Sequence, residues 1–452
     1  MRSLFSLVML LALVSSDALS QEVAASKRAP NIVLLYADDA GYADFGFQPS
    51  VRPDMKALTP NIDRIASGGV RLSNAYMSGC VCSPSRAGMM TGRYQTRFGH
   101  EQNIPPGYMK GGLPLEETMM PARLKALGYA TAIVGKWHLG YPDPYQPNRR
   151  GFDWFYGLLQ GARGYFPLEN PSSHQVIQEN GTPTKEEGYV TDRFGDAAVR
   201  FIKDNREKPF FLFVSFTAPH GPMHAKPEDL AALSSIERPR RRRYAGMVKS
   251  LDDNVGKVLA ALKAHDLERD TLVIFTNDNG GQTGTGADNA PLRGKKGTLF
   301  EGGVRVPMCM RWPGKIAPGS VIDDPVISLD YLPTFVAMAG GQVSKEWRLD
   351  GLNLLPRLTG ASQSLPRRAL FWRKGGAGRL IAMREGSLKL LFVDRAESET
   401  PMLFDLASDI GESKDLAGER QEDVKRMGAA LSAWEREQTK PRWGGRRRGR
   451  KR

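Results

Sequence analysis

Four stretches of nearly unbroken apolar residues punctuate the chain: Asn31–Tyr36, Tyr129–Val134, Phe210–Phe216 and Thr271–Phe275. Short runs without polar alternation predict strands buried on both faces, the pattern of a parallel sheet. A further apolar run spans Val304 to Met310. Helices are predicted between them. Thr59-Pro60 leads into a short helix anchored by Ile62 and Ile65 and stopped at Gly68-Gly69. Another runs from Thr118 to about Leu127, with Pro121 in its first turn and Gly128 beyond its end. A long one starts at Tyr244, where Met247, Leu251, Val255, Val258, Leu259 and Leu262 recur at helical spacing. This alternation predicts an α/β domain, a large and mostly parallel sheet sandwiched by helices.

After Leu352–Pro356 the segments shorten. Ala369–Arg373, Ile381–Arg384, Leu388–Val393 and Met402–Asp405 read as strands of a smaller antiparallel sheet, followed by a helix over Glu422–Trp434. The boundary falls near Leu365, giving a large domain over 28–364, a smaller α+β unit over 365–440 and a basic, disordered tail over 441–452. The first twenty residues differ: Arg2, an apolar run from Leu4 to Val14 and the small residues around Ala18-Leu19-Ser20 predict a signal peptide and a secreted or periplasmic protein. No stretch is long enough to read as a transmembrane segment.

Charge sharpens this picture. Of the net +14, six positive charges lie in the tail from Arg446 to Arg452 and five in Arg238 and Arg240–Arg243, which leaves +3 for the rest. Such runs are commonly solvated surface; as function, they would attract a polyanion. Export and the lack of a binding motif disfavour nucleic acid, whereas a sulfated glycan or an acidic envelope surface fits. Three cysteines, Cys80, Cys82 and Cys309, are too few for a disulfide framework, and whether Cys80 and Cys309 pair is open.

The candidate chemistry lies where the apolar runs end: Asp38-Asp39, Gly135-Lys136-Trp137-His138, Pro219-His220-Gly221 and Asp278-Asn279. Ligands of open α/β sheets sit beyond the carboxyl ends of strands, so one site at one sheet edge is expected. Asp38, Asp39, Asp278 and Asn279 offer only oxygen, which suits Ca2+ or Mg2+ rather than zinc. Lys136 and Lys296 would bind the oxygens of a tetrahedral anion. His138 and His220 are candidates for proton transfer. His100, His174 and His224 lie in loops that could line a pocket, and His265 reads as surface. Arg149, Arg150, Arg163 and His174 fall in the loop-rich stretch from Tyr141 to Asn180, where a leaving-group pocket is expected.

Cys82 stands two residues before Pro84 and four before Arg86, with Thr91-Gly92-Arg93 a short helix later. Together with the strand-end motifs in the same order, this element resembles the signature of type I sulfatases of the alkaline-phosphatase-like superfamily. The resemblance covers nearly the whole mature chain. It implies that Cys82 is oxidised to formylglycine (3-oxoalanine) by a formylglycine-generating enzyme or radical maturase acting on the unfolded segment. Hydrated to a gem-diol, it would share Ca2+ with Asp38, Asp39, Asp278 and Asn279 and attack the sulfur of a sulfate monoester. His220 would protonate the departing alcohol, His138 would take the proton from the second hydroxyl, Arg86 would orient the gem-diol, and Lys136 and Lys296 would hold the sulfate oxygens. The implied substrate is a sulfated small molecule or carbohydrate. Lys295 departs from the family by adding a charge beside Lys296. Two other readings stand beside this one: a phosphomonoester or phosphonate hydrolase of the same superfamily, and a non-catalytic sulfated-glycan-binding protein.

Overall fold

A computed structural model describes residues 28–376, 380–393 and 400–443; the signal-peptide reading lies outside them. In chain order the first domain contains strand β1 (Asn31–Ala37), helix α1 (Pro60–Ser67), β2 (Val70–Leu72), α2 (Cys82–Thr91), α3 (Met120–Ala126), β3 (Ala130–Lys136), β4 (Trp154–Leu158), β5 (Gln178–Glu179), β6 (Thr182–Pro183), α4 (Val190–Asp204), β7 (Phe210–Ser215), α5 (Pro239–Ala264), β8 (Thr271–Asn277), α6 (Glu301–Val304), β9 (Cys309–Arg311) and β10 (Ser320–Ile322). Ten of these segments form one sheet in the order β10-β2-β9-β8-β1-β7-β3-β4-β5-β6. Its centre, β8-β1-β7-β3-β4, is parallel, while β9, β5 and β6 pair antiparallel with their neighbours.

Every residue of β1 is buried, and its side chains alternate between two cores. Ile32, Leu34 and Tyr36 join one face, and Val33, Leu35 and Ala37 join the other. The period of two on a sheet covered on both sides explains the unbroken apolar run. Helix α5 lies over the second face beside α4, with Met247, Leu251, Val255, Val258 and Leu262 buried. The register brings the strand ends level: Tyr36 pairs with Ser215, Ala37 with Asn277 and Gly135 with Ser215.

The second unit is a four-stranded antiparallel sheet, β11 (Ala369–Lys374), β12 (Leu380–Glu385), β13 (Leu388–Phe392) and β14 (Met402–Asp405), with helix α7 (Gln421–Arg436). It shares a core with the first: Trp372, Leu390, Leu403 and Leu431 pack with Tyr76, Tyr94, Val304 and Leu329. The Trp372 indole donates to the Met77 carbonyl at 2.7 Å, close to the segment that carries Cys82.

Several expectations are corrected. Helix α5 begins at Pro239 rather than Tyr244, so the arginine run forms its first turns. A helix N-terminus disfavours cations. Here Pro239 presets the backbone of the first turn, and Arg241 is neutralised by Asp44 at 2.8 Å and Asp54 at 2.7 Å. The run Val304–Met310 is split between the end of α6 and the start of β9. The helix read from Thr118 to Leu127 is trimmed to α3. Cys80 and Cys309, whose pairing the sequence leaves open, are separately buried as free thiols. Residues 441–443, read as disordered, are packed: Arg442 N–H donates to the Gly99 carbonyl at 2.9 Å, and the Trp443 indole donates to that of Gln102 at 2.8 Å.

Candidate active site

Cys82 is the first residue of α2, and Val81 before it is extended. That position places the side chain at the positive end of the helix dipole, where an anionic group is favoured. Cys82 is 1% exposed. Its Sγ lies 3.6 Å from Asp38 Oδ1 and 3.2 Å from Lys296 Nζ. Burial raises the thiol pKa, but Lys136 and Lys296 outweigh it and bring the group down to about 7.

The strand ends deliver the rest. Asp38 and Asp39 follow β1, and Asp39 takes φ of +66°, a conformation rare for a residue with a side chain. Lys136 closes β3 and reaches Asp38 Oδ2 at 2.5 Å, while Lys296 reaches Asp39 Oδ2 at 2.7 Å. Arg86, one turn into α2, lies 3.3 Å from Asp278 Oδ2 and 3.5 Å from Asp38 Oδ2. Its other nitrogen donates to the Lys136 carbonyl at 3.1 Å and the Ser215 hydroxyl at 2.5 Å. Burial would raise the Asp38 carboxyl, yet Lys136, His220, Arg86 and Lys296 hold it far below the usual carboxylate range. Asp278 moves the opposite way, pushed up by burial and by the charge of Asp38 beside it.

The two histidines are differently tuned. His138, also at positive φ (+62°), is buried, and burial with Lys136 and Arg86 keeps the ring neutral. His220 Nε2 stands 3.5 Å from Asp39 Oδ2. Burial lowers its pKa, but Asp38 and Asp39 prevail and raise it to about 9. One ring is thus an acceptor and the other a charged donor at neutral pH.

Asp38, Asp39, Cys82 and His220 present ligand atoms all within 4.8 Å of one another. Asn279 Nδ2 donates to Asp39 Oδ1 at 2.8 Å, whereas the buried Asn279 Oδ1 has no partner among the described residues. An orphaned amide oxygen beside crowded carboxylates fits an oxygen-seeking divalent cation, which would also relieve the mutual repulsion of Asp38 and Asp278.

Other expected residues fall elsewhere. Arg150 is buried and donates to the carbonyls of Leu113, Pro114 and Glu117. Arg163 is buried against Glu186 at 2.6 Å. Both are structural rather than pocket residues, and Arg149 pairs with Asp143 at the surface. His174 stacks on Tyr141, and Lys295 is exposed beside the cluster. His265 is the C-cap of α5. His100 lies beneath the site: its Nε2 is 2.6 Å from Ser83 Oγ, which donates to the His138 carbonyl at 2.7 Å. Ser83 and Ser215 support the site without having stood out in the sequence. A polar residue closing an apolar strand run, as Ser215 does, was the available signal.

An α/β sheet whose strand ends gather a thiol position, paired lysines, two histidines and a carboxylate cluster defines a hydrolase of the alkaline-phosphatase-like class. Residues 30–341 match the family described as Sulfatase, and residues 295–433 match the description N-sulphoglucosamine sulphohydrolase, C-terminal. The chain belongs to the sulfatase family, as a type I sulfatase, and that family consists of sulfuric ester hydrolases. It is similar to arylsulfatase A of Homo sapiens, 34% identical over 446 residues covering 86% of this chain and 84% of that protein. It is also 34% identical to arylsulfatase J of Mus musculus over 72% of this chain, spanning 55% of that protein's length. Among solved structures, Ps i-CgsB in complex with k-i-k-neocarrahexaose superposes with a TM-score of 0.87 at 36% identity, over 93% of this chain and 96% of that one.

Proposed function

We propose that the protein hydrolyses sulfate monoesters of a sulfated carbohydrate, with formylglycine at position 82 and Ca2+ held by Asp38, Asp39, Asp278 and Asn279. The observation that carries this reading is Cys82 at the head of α2, its Sγ 3.2 Å from the Lys296 ammonium. The carbohydrate class is supported by the neocarrahexaose held by the 36% identical structure.

The hydrated aldehyde supplies an oxygen nucleophile for sulfur and a second hydroxyl whose deprotonation frees the sulfate. The cation supplies positive charge at the nucleophile and the sulfate oxygens. Lys136 and Lys296 bind the sulfate oxygens and counter the charge that grows on them. Arg86, anchored by Ser215 and Asp278, fixes the nucleophile's orientation. His220 donates its proton to the leaving oxygen. His138, neutral, accepts the proton of the second hydroxyl. Burial of the cluster excludes competing water. The oxidised residue requires a formylglycine-generating enzyme or radical maturase, and we infer a secreted or periplasmic location.

Paired aryl sulfate and aryl phosphate esters test the reaction: sulfate release should dominate, and faster phosphate cleavage would favour a phosphomonoesterase instead. Mass spectrometry of the tryptic peptide containing residue 82 should find the aldehyde; an intact thiol in active enzyme would refute the mechanism.

The cation reading has a readout besides turnover. In metal-free protein, His220 should titrate near 9 by NMR. Its raised pKa stabilises the fold fully below the unfolded value of about 6.5, and that contribution is lost as pH rises through 9. Adding Ca2+ neutralises the carboxylates and should shift the His220 titration downward. A titration indifferent to Ca2+ would argue against this ligand set.

A further inference from the structure

We propose that the cavity walled by Phe166, Leu168, Met223, His224 and Arg243 is a saccharide subsite, holding an anionic sugar unit adjacent to the one that carries the scissile sulfate. The inference rests on the proposed sulfatase reading and deepens it by assigning a second binding position. The cavity encloses about 310 Å³, at the low end of ligand-sized pockets.

Its location ties it to the reaction centre. The ring of His138 fills the space a side chain on Gly161 would need, 2.4 Å from where its Cβ would stand, and three residues on, a Cβ on Gly164 would stand 3.7 Å from the His224 ring. Three residues of extended chain span at most about 10 Å, within reach of a neighbouring unit of an oligosaccharide. His224 also follows the proton donor His220 by four residues. The walls are fixed: the Tyr165 hydroxyl donates to the carbonyls of Thr217 at 2.6 Å and His220 at 2.8 Å, and Tyr189 donates to that of His224 at 2.8 Å.

The chemistry of the lining selects the occupant. Phe166 is 40% exposed, an aromatic face open to the apolar side of a sugar ring. The exposed His224 side chain makes no hydrogen bond among the described residues, leaving it available for a sugar hydroxyl. Arg243 is exposed and has neither an ion pair nor a hydrogen bond among the described residues, so its planar fork is free for a sulfate or carboxylate. Its neighbours in the arginine run are engaged: Arg241 by Asp44 and Asp54, Arg242 by the Ile236 carbonyl, Arg240 by that of Gly284. A larger cavity of about 650 Å³ is lined by Arg238, likewise exposed and without a side-chain partner among the described residues, but it has no aromatic wall, and Arg52 there is paired with Asp288 and Arg241 with Asp54. Arg243 is therefore the arginine of the run that combines a free guanidinium with an aromatic-walled cavity.

The test uses the full matured chain with Arg243→Ala, Phe166→Ala and, as a control, Arg238→Ala. KM for a sulfated neocarrahexaose should rise about 10-fold in the first two variants, with Arg238→Ala and all aryl sulfate kinetics unchanged. Equal KM in wild type and Arg243→Ala, an equal effect of Arg238→Ala, or a matching loss on aryl sulfate would overturn the subsite. Calorimetry with the same hexasaccharide separates this from the catalytic reading. Binding weakened by Arg243→Ala without any sulfate release in wild type supports the subsite and sinks the hydrolase, whereas sulfate release with binding indifferent to Arg243 does the reverse.

Discussion

Exchange of Cys82 for alanine is expected to lower kcat on an aryl sulfate by at least about 10⁴-fold, the scale seen when an enzyme loses its nucleophile. On the proposed roles the loss should be in kcat, because Lys136 and Lys296 remain to bind sulfate. Cys82→Ser should separate nucleophilicity from turnover. Its hydroxyl could attack sulfur once, but with no second hydroxyl it cannot expel the sulfate, so at most one equivalent of alcohol per enzyme should appear before the reaction stops. Sustained turnover by the serine variant would remove the case for an aldehyde. Neither change should unfold the protein, since both residues are smaller than or similar to cysteine and the helix position is retained; an unchanged thermal midpoint is the check.

Lys389→Met is expected to destabilise the fold by about 3–5 kcal/mol, read as a lower urea midpoint at constant slope. Lys389 Nζ stands 2.9 Å from Glu301 Oε1 and 2.9 Å from Glu412 Oε1, and all three side chains are fully buried. Removing the lysine leaves two carboxylates in the seam between the sheets without their shared cation. Glu301 also accepts from Tyr76 at 2.6 Å and pairs with Arg305 at 3.2 Å, so the seam is one network. Adding Glu412→Gln should recover part of the loss, because a neutral amide can be buried at lower cost than an unpaired charge, while Glu301 keeps its Arg305 partner. A single variant within about 1 kcal/mol of wild type would mean that water reaches the seam.

The difference between what is legible in the sequence and what is not has a physical basis. β1, β3, β7 and β8 can be read because double-faced burial writes an unbroken apolar run, and Asp38, Lys136 and Asp278 can be read because each interrupts or closes such a run. Position in the sheet then forces them together. Lys389 cannot be read, since its Glu301 and Glu412 partners are remote in sequence and a lysine in a strand ordinarily faces water. Arg150 and Arg163 read as pocket residues because a loop-rich stretch hides burial; their partners are backbone carbonyls and one glutamate. The start of α5 escapes the pattern because four arginines carry no apolar stripe, and only Asp44 and Asp54 across the fold make them compatible with a helix.

Trp443 closes the layer behind Cys82. Its ring meets His100 edge-on at 4.6 Å, and His100 in turn braces Ser83 beside the nucleophile position. Trp443 follows Cys82 by 361 residues. At synthesis rates of about 5–20 residues per second, roughly 20–70 s separate the appearance of the cysteine from that of the residue that seals its rear wall. A side chain 1% exposed in the finished fold offers an oxidising enzyme almost no purchase afterwards. On the proposed mechanism, the specific activity of a preparation is therefore decided by a race between modification and closure while the chain is being made.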